Sequence, residues 1–150
     1  MIYRKAVFAD VEAIYELVYA YAQDGLMLAR SRNALYETLR DMFVAEKDEK
    51  IVGVGGLHIT WDKIAEVRTL AVDKNATRQH IGSEIVTRLI ADGKELGVEK
   101  FFTLTYQPQF FNSLGFEIVS KDDLPQKVWK ECIDCPKFPN CDEIAMVLVE

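Results

Sequence analysis

Ala65-Glu66-Val67-Arg68-Thr69-Leu70-Ala71-Val72, followed shortly by Arg78-Gln79-His80-Ile81-Gly82-Ser83, decides how this chain folds and where its chemistry sits. The first stretch reads as an apolar strand carrying a carboxylate, Glu66. The second reads as a glycine turn opening a helix. The first N–H groups of a helix have no partner inside it, and together with the helix dipole they favour a phosphate-like anion. A carboxylate on the strand beside such a site offers a general base, so the pair points to chemistry on a phosphate-bearing donor.

Outward from this unit, helix and strand signals alternate. Residues 2–7 read as a strand. Asp10 is placed to cap a helix whose apolar positions Val11, Ile14, Leu17, Val18 and Tyr21 keep helical spacing up to Gly25. Residues 26–32 form a connection to a second helix carrying Leu35, Leu39 and Met42. Residues 42–47 and 50–60 predict a hairpin about Asp48-Glu49, and 64–73 the strand already quoted. A helix follows over 82–96, with Gly97 as its stop. A strand over 101–105, a short helix over 110–114 ending at Gly115, a strand over 116–120 and a last strand over 144–149 complete the order. This βααβββαβαβ succession, closed after an extended segment by the final strand, predicts an α/β fold, a mixed sheet layered with helices, as one domain over residues 1–150.

Composition narrows the partners. Hydrophobic residues make up 49% and charged residues 28% of the chain, ordinary values for a globular protein. The net charge of -6 argues against nucleic acid or an anionic membrane as partner, yet permits locally placed basic groups to hold a small anion. The first seven residues lack the apolar core of a secretory signal, and no run approaches the roughly 20 apolar residues that span a bilayer. Cys132, Cys135 and Cys141 make an odd set of three, unlike a secreted disulfide scaffold, which points to the cytoplasm. Their Cys-x2-Cys-x5-Cys spacing offers three thiolates to zinc. The fourth ligand would have to be Asp134, Asp142 or water, because His58 and His80 lie far away in sequence. Reduced packing cysteines and a redox-sensitive pair are the other readings, and no metal is expected.

Several motifs stand in a telling order: Arg4-Lys5-Ala6, Asp24-Gly25-Leu26-Met27-Leu28-Ala29-Arg30-Ser31-Arg32, Ala65-Glu66 with Leu70-Ala71-Val72, Phe102-Thr103-Leu104-Thr105 and Phe110-Phe111-Asn112-Ser113-Leu114-Gly115-Phe116. In this order they resemble the GNAT superfamily of N-acetyltransferases over essentially the whole chain. More narrowly, the chain is similar to short amino-acid N-acetyltransferases of the N-acetylglutamate synthase type. The resemblance implies a central sheet whose fourth and fifth strands splay apart, acetyl-CoA as cosubstrate, and L-glutamate as acceptor in the first step of arginine synthesis. It implies Glu66 as base and backbone N–H groups near Leu70, Ala71 and Val72 at the thioester. It also implies a diphosphate loop of Arg78, Gln79, His80, Ile81, Gly82 and Ser83, with Phe110 beside the donor. The stretch at about 121–143 is then an insertion, and its Cys-Pro-x-Phe-Pro-x-Cys pattern is similar to the tails of short acetylglutamate-synthase relatives. A single domain of this kind is without the amino-acid-kinase-like regulatory domain of the long enzymes.

Two features depart from the family pattern, the diphosphate loop at two positions and the tyrosine position. His80 stands where the diphosphate loop carries its first glycine, with Thr77 in place of the usual basic or amide residue. Phe111 stands where many relatives carry the tyrosine that protonates the leaving thiolate. Tyr106, at the end of its strand, is the substitute acid, with water or a purely packing role as alternatives.

Acetyl transfer to an amine requires a neutral amine, so an ammonium acceptor must lose a proton, and Glu66 is the group to take it, directly or through one water. The plainer reading pairs Glu66 with Arg68 on an exposed strand. A glutamate acceptor has two carboxylates and calls for bidentate arginines. Arg4, Lys5, Arg30, Arg32 and Arg68 are the candidates, each equally readable as a surface cation. The same fold with another amino acid, a polyamine or a protein N-terminus as acceptor is one alternative. A non-catalytic acyl-CoA-binding module is another. A homodimer is compatible with the sequence.

Overall fold

The computed structural model describes residues 1–27, 29–124 and 143–149, with Thr77, Arg78 and Gln79 described by their backbone alone. The strands are β1 (Ile2–Lys5), β2 (Met42–Lys47), β3 (Lys50–Trp61), β4 (Ile64–Val72), β5 (Lys100–Thr105), β6 (Glu117–Ile118) and β7 (Ile144–Val149). The helices are α1 (Val11–Gln23), α2 (Arg32–Glu37), α3 (Ile81–Leu96) and α4 (Pro108–Asn112). The strands form one sheet in the order β1-β2-β3-β4-β5-β7-β6. Neighbours run antiparallel except β4 and β5, which are parallel and joined through α3, the crossover that a parallel pair requires. The expected α/β class and mixed sheet are what the chain adopts.

The two faces of the sheet are covered differently. On one, Ile81, Ile85, Val86 and Leu89 of α3 pack against Leu57, Val67, Phe101 and Met146. That helix lies very close: a Cβ on Gly53 would fall 2.8 Å from Ile81 Cγ2, and one on Gly55 would fall 2.6 Å from Ile85 Cγ2. On the other face the apolar cover is split. Val11, Ile14 and Val18 of α1, with Leu35 of α2, sit over Met42, Val44, Val54 and Ala71. Further across, Ile64, Phe102, Ala145 and Val147 gather with Leu124. Glu66 lies two residues beyond Ile64 and so shares its face, as does its cross-strand partner His58. Polar residues thus occupy the gap between two apolar patches.

Strands β4 and β5 pair at Ile64↔Lys100, Ala65↔Phe101 and Glu66↔Phe102, and the ladder ends there. Beyond Glu66 the two strands part, as the expected splay requires. The buried Thr103 hydroxyl props the fork by donating to the Val67 carbonyl at 2.9 Å. On its other edge β4 carries a bulge, for Val54↔Ala71 and Gly56↔Arg68 leave two steps on β3 opposite three on β4. Thr69 absorbs the extra residue at φ 58°. A β-branched residue in the left-handed region is strained by roughly 1–2 kcal/mol, and bulges of this kind re-aim the side chains and N–H groups around them.

Some expectations are corrected. The second helix is shorter than predicted: Leu39 falls in a 3-10 turn and Met42 opens β2, where its side chain joins the core. The strand expected over 116–120 contracts to Glu117–Ile118. Asp10 does not cap α1, because its side chain makes no cap hydrogen bond there. It accepts instead from Arg4 Nη1 at 2.7 Å, Arg4 Nη2 at 3.0 Å and the Val7 N–H at 2.8 Å. Arg4 also donates to Glu46 from Nε at 3.1 Å and Nη2 at 2.8 Å, tying the entrance of α1 to β1 and β2.

The Arg4 guanidinium holds the Asp10 carboxyl below its ordinary value, against the opposing effect of burial. A depressed folded-state value means that this stabilisation is present above the ordinary carboxylate range and is lost as pH falls through the folded value. Asp10→Asn is therefore expected to lower unfolding free energy by about 1–3 kcal/mol at neutral pH, since a buried acceptor of three hydrogen bonds loses its charge. The gap between variant and parent should narrow towards about pH 3. Urea melts at the two pH values measure it, and an equal gap at both would remove the charge from the explanation.

Candidate active site

The fork of β4 and β5 assembles the site. Glu66 stands at the last paired position, its side chain 15% exposed, and Arg68, 10% exposed, lies on the same face with Nη1 3.9 Å from Glu66 Oε1. That separation is an ion pair, longer than a hydrogen bond. Glu66 is thus half-buried beside Arg68 at the cleft, a mixture of the two readings that its sequence allowed. His58 lies opposite Glu66, and its Nδ1 is 3.0 Å from Asp41 Oδ2. Register alone brings His58 into the group. Its signal in the sequence was only a polar residue in an otherwise apolar strand.

Past Glu66, alternate N–H and C=O groups of β4 turn toward the space that β5 has left. Of the three residues expected to line it, Val72 is already engaged. Tyr21 of α1 donates its hydroxyl to the Val72 carbonyl at 2.9 Å and accepts from the Val72 N–H at 3.3 Å. Ala71 pairs with Val54 and is buried under α1. Leu70, two residues before Val72, presents its N–H to the same side as Val72 and is the group aimed into the fork. Tyr21 had read as one more member of the apolar helical stripe.

The helix start behaves as expected in outline. Helix α3 opens at Ile81, one residue before the predicted Gly82, and Ser83 lies in its first turn. His80 precedes it at φ 57°, in the left-handed conformation that glycine adopts without strain, and its side chain is exposed. Gly82 is fixed by packing, because a Cβ there would fall 3.3 Å from Phe110 Cζ. Phe110 therefore seats α4 beside the start of α3. His80→Gly is expected to keep or raise the melting temperature, and His80→Val to lower stability by about 1–2 kcal/mol, the strain of a β-branched side chain in this conformation. Thermal melts check both, and equal stability of the two would refute the strain argument.

Tyr106 follows β5 and is half-buried at its C-terminal end, where the turn is fixed by the Gln107 N–H donating to Thr105 Oγ1 at 2.8 Å. Phe111, in the position of the family tyrosine, is 5% exposed and packs edge-on against Phe110 and Phe116 at 5.0 and 5.3 Å between ring centroids.

The basic candidates separate clearly. Arg68 joins Glu66 at the fork. Arg4 sits three strands away on β1 and is already held by two carboxylates. Lys5, on the same strand, pairs with Asp92 at 3.1 Å. Arg32 opens α2, where it pairs with Glu12 at 2.7 Å and lies over the Tyr15 ring at 4.1 Å. Arg30 is half-buried in the connection between α1 and α2. Cys132, Cys135, Cys141, Asp134 and Asp142 lie outside the described residues, as do the side chains of Arg78 and Gln79.

A mixed sheet forked beside a helix N-terminus, with a carboxylate at the fork, sets an anion site and a candidate base next to one another. Residues 8–116 match the Acetyltransferase (GNAT) family, and the chain belongs to that family and is an N-acetyltransferase. It is 39% identical over 144 residues to an uncharacterized N-acetyltransferase of Chlorobaculum tepidum, covering 96% of this chain and 93% of that one. It is 36% identical over 131 residues to an amino-acid acetyltransferase of Mycobacterium tuberculosis, covering 85% of this chain and 75% of the relative. Among solved structures, Rv2747 of Mycobacterium tuberculosis in complex with CoA superposes with a TM-score of 0.88 at 32% identity, over 100% of this chain and 99% of that one.

Proposed function

We propose that this protein transfers an acetyl group from acetyl-CoA to the α-amino group of an amino acid, L-glutamate above others, in the cytoplasmic first step of arginine synthesis. The observation that carries this reading is the placement of Glu66 at the fork, half-buried beside Arg68 on the face left open between two apolar patches. The start of α3, with the N–H groups of Ile81, Gly82 and Ser83, suits the donor's diphosphate, and Phe110 walls that end of the cleft. The pantetheine arm then lies in the splay, with the thioester oxygen facing the Leu70 N–H. A single oxyanion donor contributes about 2.7–4 kcal/mol to the barrier. Glu66 takes a proton from the acceptor ammonium. The amine attacks, the C–N bond forms and the C–S bond breaks. Tyr106, at the C-terminal end of β5, gives the departing thiolate its proton and recovers one from the amine nitrogen. Arg68 and Arg30 are the cations for the acceptor's carboxylates.

A panel of amino acids, a polyamine and a short peptide, each with acetyl-CoA and free-thiol detection, tests the reading. Glutamate should give the highest kcat/KM. Preference for the polyamine or the peptide would overturn the acceptor assignment, and acetyl-CoA binding without turnover of any amine would favour a non-catalytic acyl-CoA module. Arg30→Ala should raise the KM for glutamate. Arg32→Ala should leave it within about twofold, because its guanidinium is engaged by Glu12, and exposed pairs of this kind contribute little.

A further inference from the structure

We propose that His58, oriented by Asp41, is the outlet through which the proton collected by Glu66 leaves the site. The proposal rests on the reading of Glu66 as base and starts from a proton balance. An amino acid enters as its ammonium form with three N–H protons. One goes to Glu66 before attack, one replaces through Tyr106 the proton given to the departing thiolate as the tetrahedral intermediate collapses, and one stays on the amide nitrogen. Each turnover therefore leaves one proton on Glu66, which has to be discharged before the next amine can be deprotonated.

Glu66 is poorly placed to discharge it unaided, with its side chain only 15% exposed. His58 is its direct partner across β3 and β4, with both side chains on one face and Cβ atoms expected at about 4.5–5.5 Å. The His58 side chain is 31% exposed, which gives it access to solvent. Asp41, in the 3-10 turn ahead of β2, accepts from Nδ1 at 3.0 Å. This bond fixes the neutral tautomer with its proton on Nδ1 and leaves Nε2 as the nitrogen that can accept a proton. Among the described residues, Asp41 from the turn and Glu66 and Arg68 from β4 are charged groups that share this face with His58. The transfer runs from the Glu66 carboxyl to His58 Nε2, directly or through a water, and from Nε2 to solvent, which restores both groups.

The test compares His58→Gln, Asp41→Asn, His58→Ala and Glu66→Gln in the purified protein, with acetyl-CoA and the amino acid of highest turnover. Glutamine keeps a donor for Asp41 but takes up no proton. His58→Gln is expected to lower kcat at least about tenfold, with both KM values within about twofold, because proton transfer changes and binding does not. Asp41→Asn should act in the same direction and less strongly. Added imidazole should restore turnover of His58→Ala in a saturable manner, a readout that a purely structural histidine would not move. Melting temperatures near the parent's show that the variants fold. If His58→Ala does not fold, the glutamine and asparagine variants still decide the matter. Unchanged kcat in His58→Gln alongside a slow Glu66→Gln sinks the outlet and spares the base. Full activity of Glu66→Gln sinks both. A raised amino-acid KM at unchanged kcat makes His58 an acceptor ligand and overturns the proposal, as does a folded His58→Ala that imidazole does not rescue.

Discussion

Glu66→Gln is expected to lower kcat by about 100- to 10,000-fold while the Kd for acetyl-CoA stays within about twofold of the parent's. Glutamine has almost the shape of glutamate and retains an oxygen at the same place, so the half-buried position stays filled. What disappears is the ability to take a proton from an incoming ammonium. On the proposed reading the donor is held elsewhere, at the start of α3 and along the opened edge of β4, and none of those groups is a side chain of residue 66. The variant then depends on acceptor molecules that have already lost a proton in solution. Its residual rate should climb with pH more steeply than the parent's, because the neutral fraction of the amine grows with pH. Stopped-time thiol assays over a pH series, with calorimetric titration of acetyl-CoA, separate the outcomes. Equal losses in turnover and donor affinity would show that residue 66 supports the fold of the fork rather than the chemistry.

The parts of this site that the sequence discloses are those set by local rules. The strand around Glu66 is visible from its apolar composition, the start of α3 from a glycine at the head of an amphipathic stretch, and the end of α3 from Gly97, which adopts φ 96°. The β2–β3 turn at Asp48-Glu49 is likewise local, both residues taking positive φ as a two-residue hairpin turn requires. What stays hidden depends on register. His58 meets Glu66 because of the way β3 and β4 are aligned, and that alignment is altered by bulges that no propensity announces. Thr69 is the plainest case, since a β-branched residue argues locally against the left-handed conformation that it holds. The partners that Arg4 and Asp10 take are hidden for a related reason. The third member of their cluster, Glu46, is contributed 42 positions away from Arg4, so neither residue's partners can be read from its neighbours. The same holds for Tyr21, whose helical spacing predicts burial but not that its hydroxyl would close the ladder at Val72.

Arg68→Ala is expected to raise the KM for a carboxylate-bearing acceptor by about 10- to 150-fold, the equivalent of losing a charge-assisted hydrogen bond worth about 1.5–3 kcal/mol. The Arg68 side chain is 10% exposed on the face it shares with Glu66, and on the proposed reading an approaching carboxylate there meets a guanidinium already largely out of water, where a two-pronged contact is stronger than at the surface. Its separation of 3.9 Å from the Glu66 oxygen allows an acceptor carboxylate to be gripped while the acceptor's amine reaches the base. The effect should fall chiefly on KM, because the amino acid's carboxylates keep their charge through the reaction and are bound alike in ground and transition states. Arg68→Lys should lie between parent and alanine, since it keeps the charge and loses the fork. If Arg68 served only to hold Glu66, the alanine variant would lose kcat and leave the acceptor KM in place. If the true acceptor were a polyamine, removing this cation would lower its KM. Kinetics of the parent and the two variants with glutamate and with a polyamine distinguish these cases, because the direction of the KM change reports the charge of the molecule that Arg68 faces.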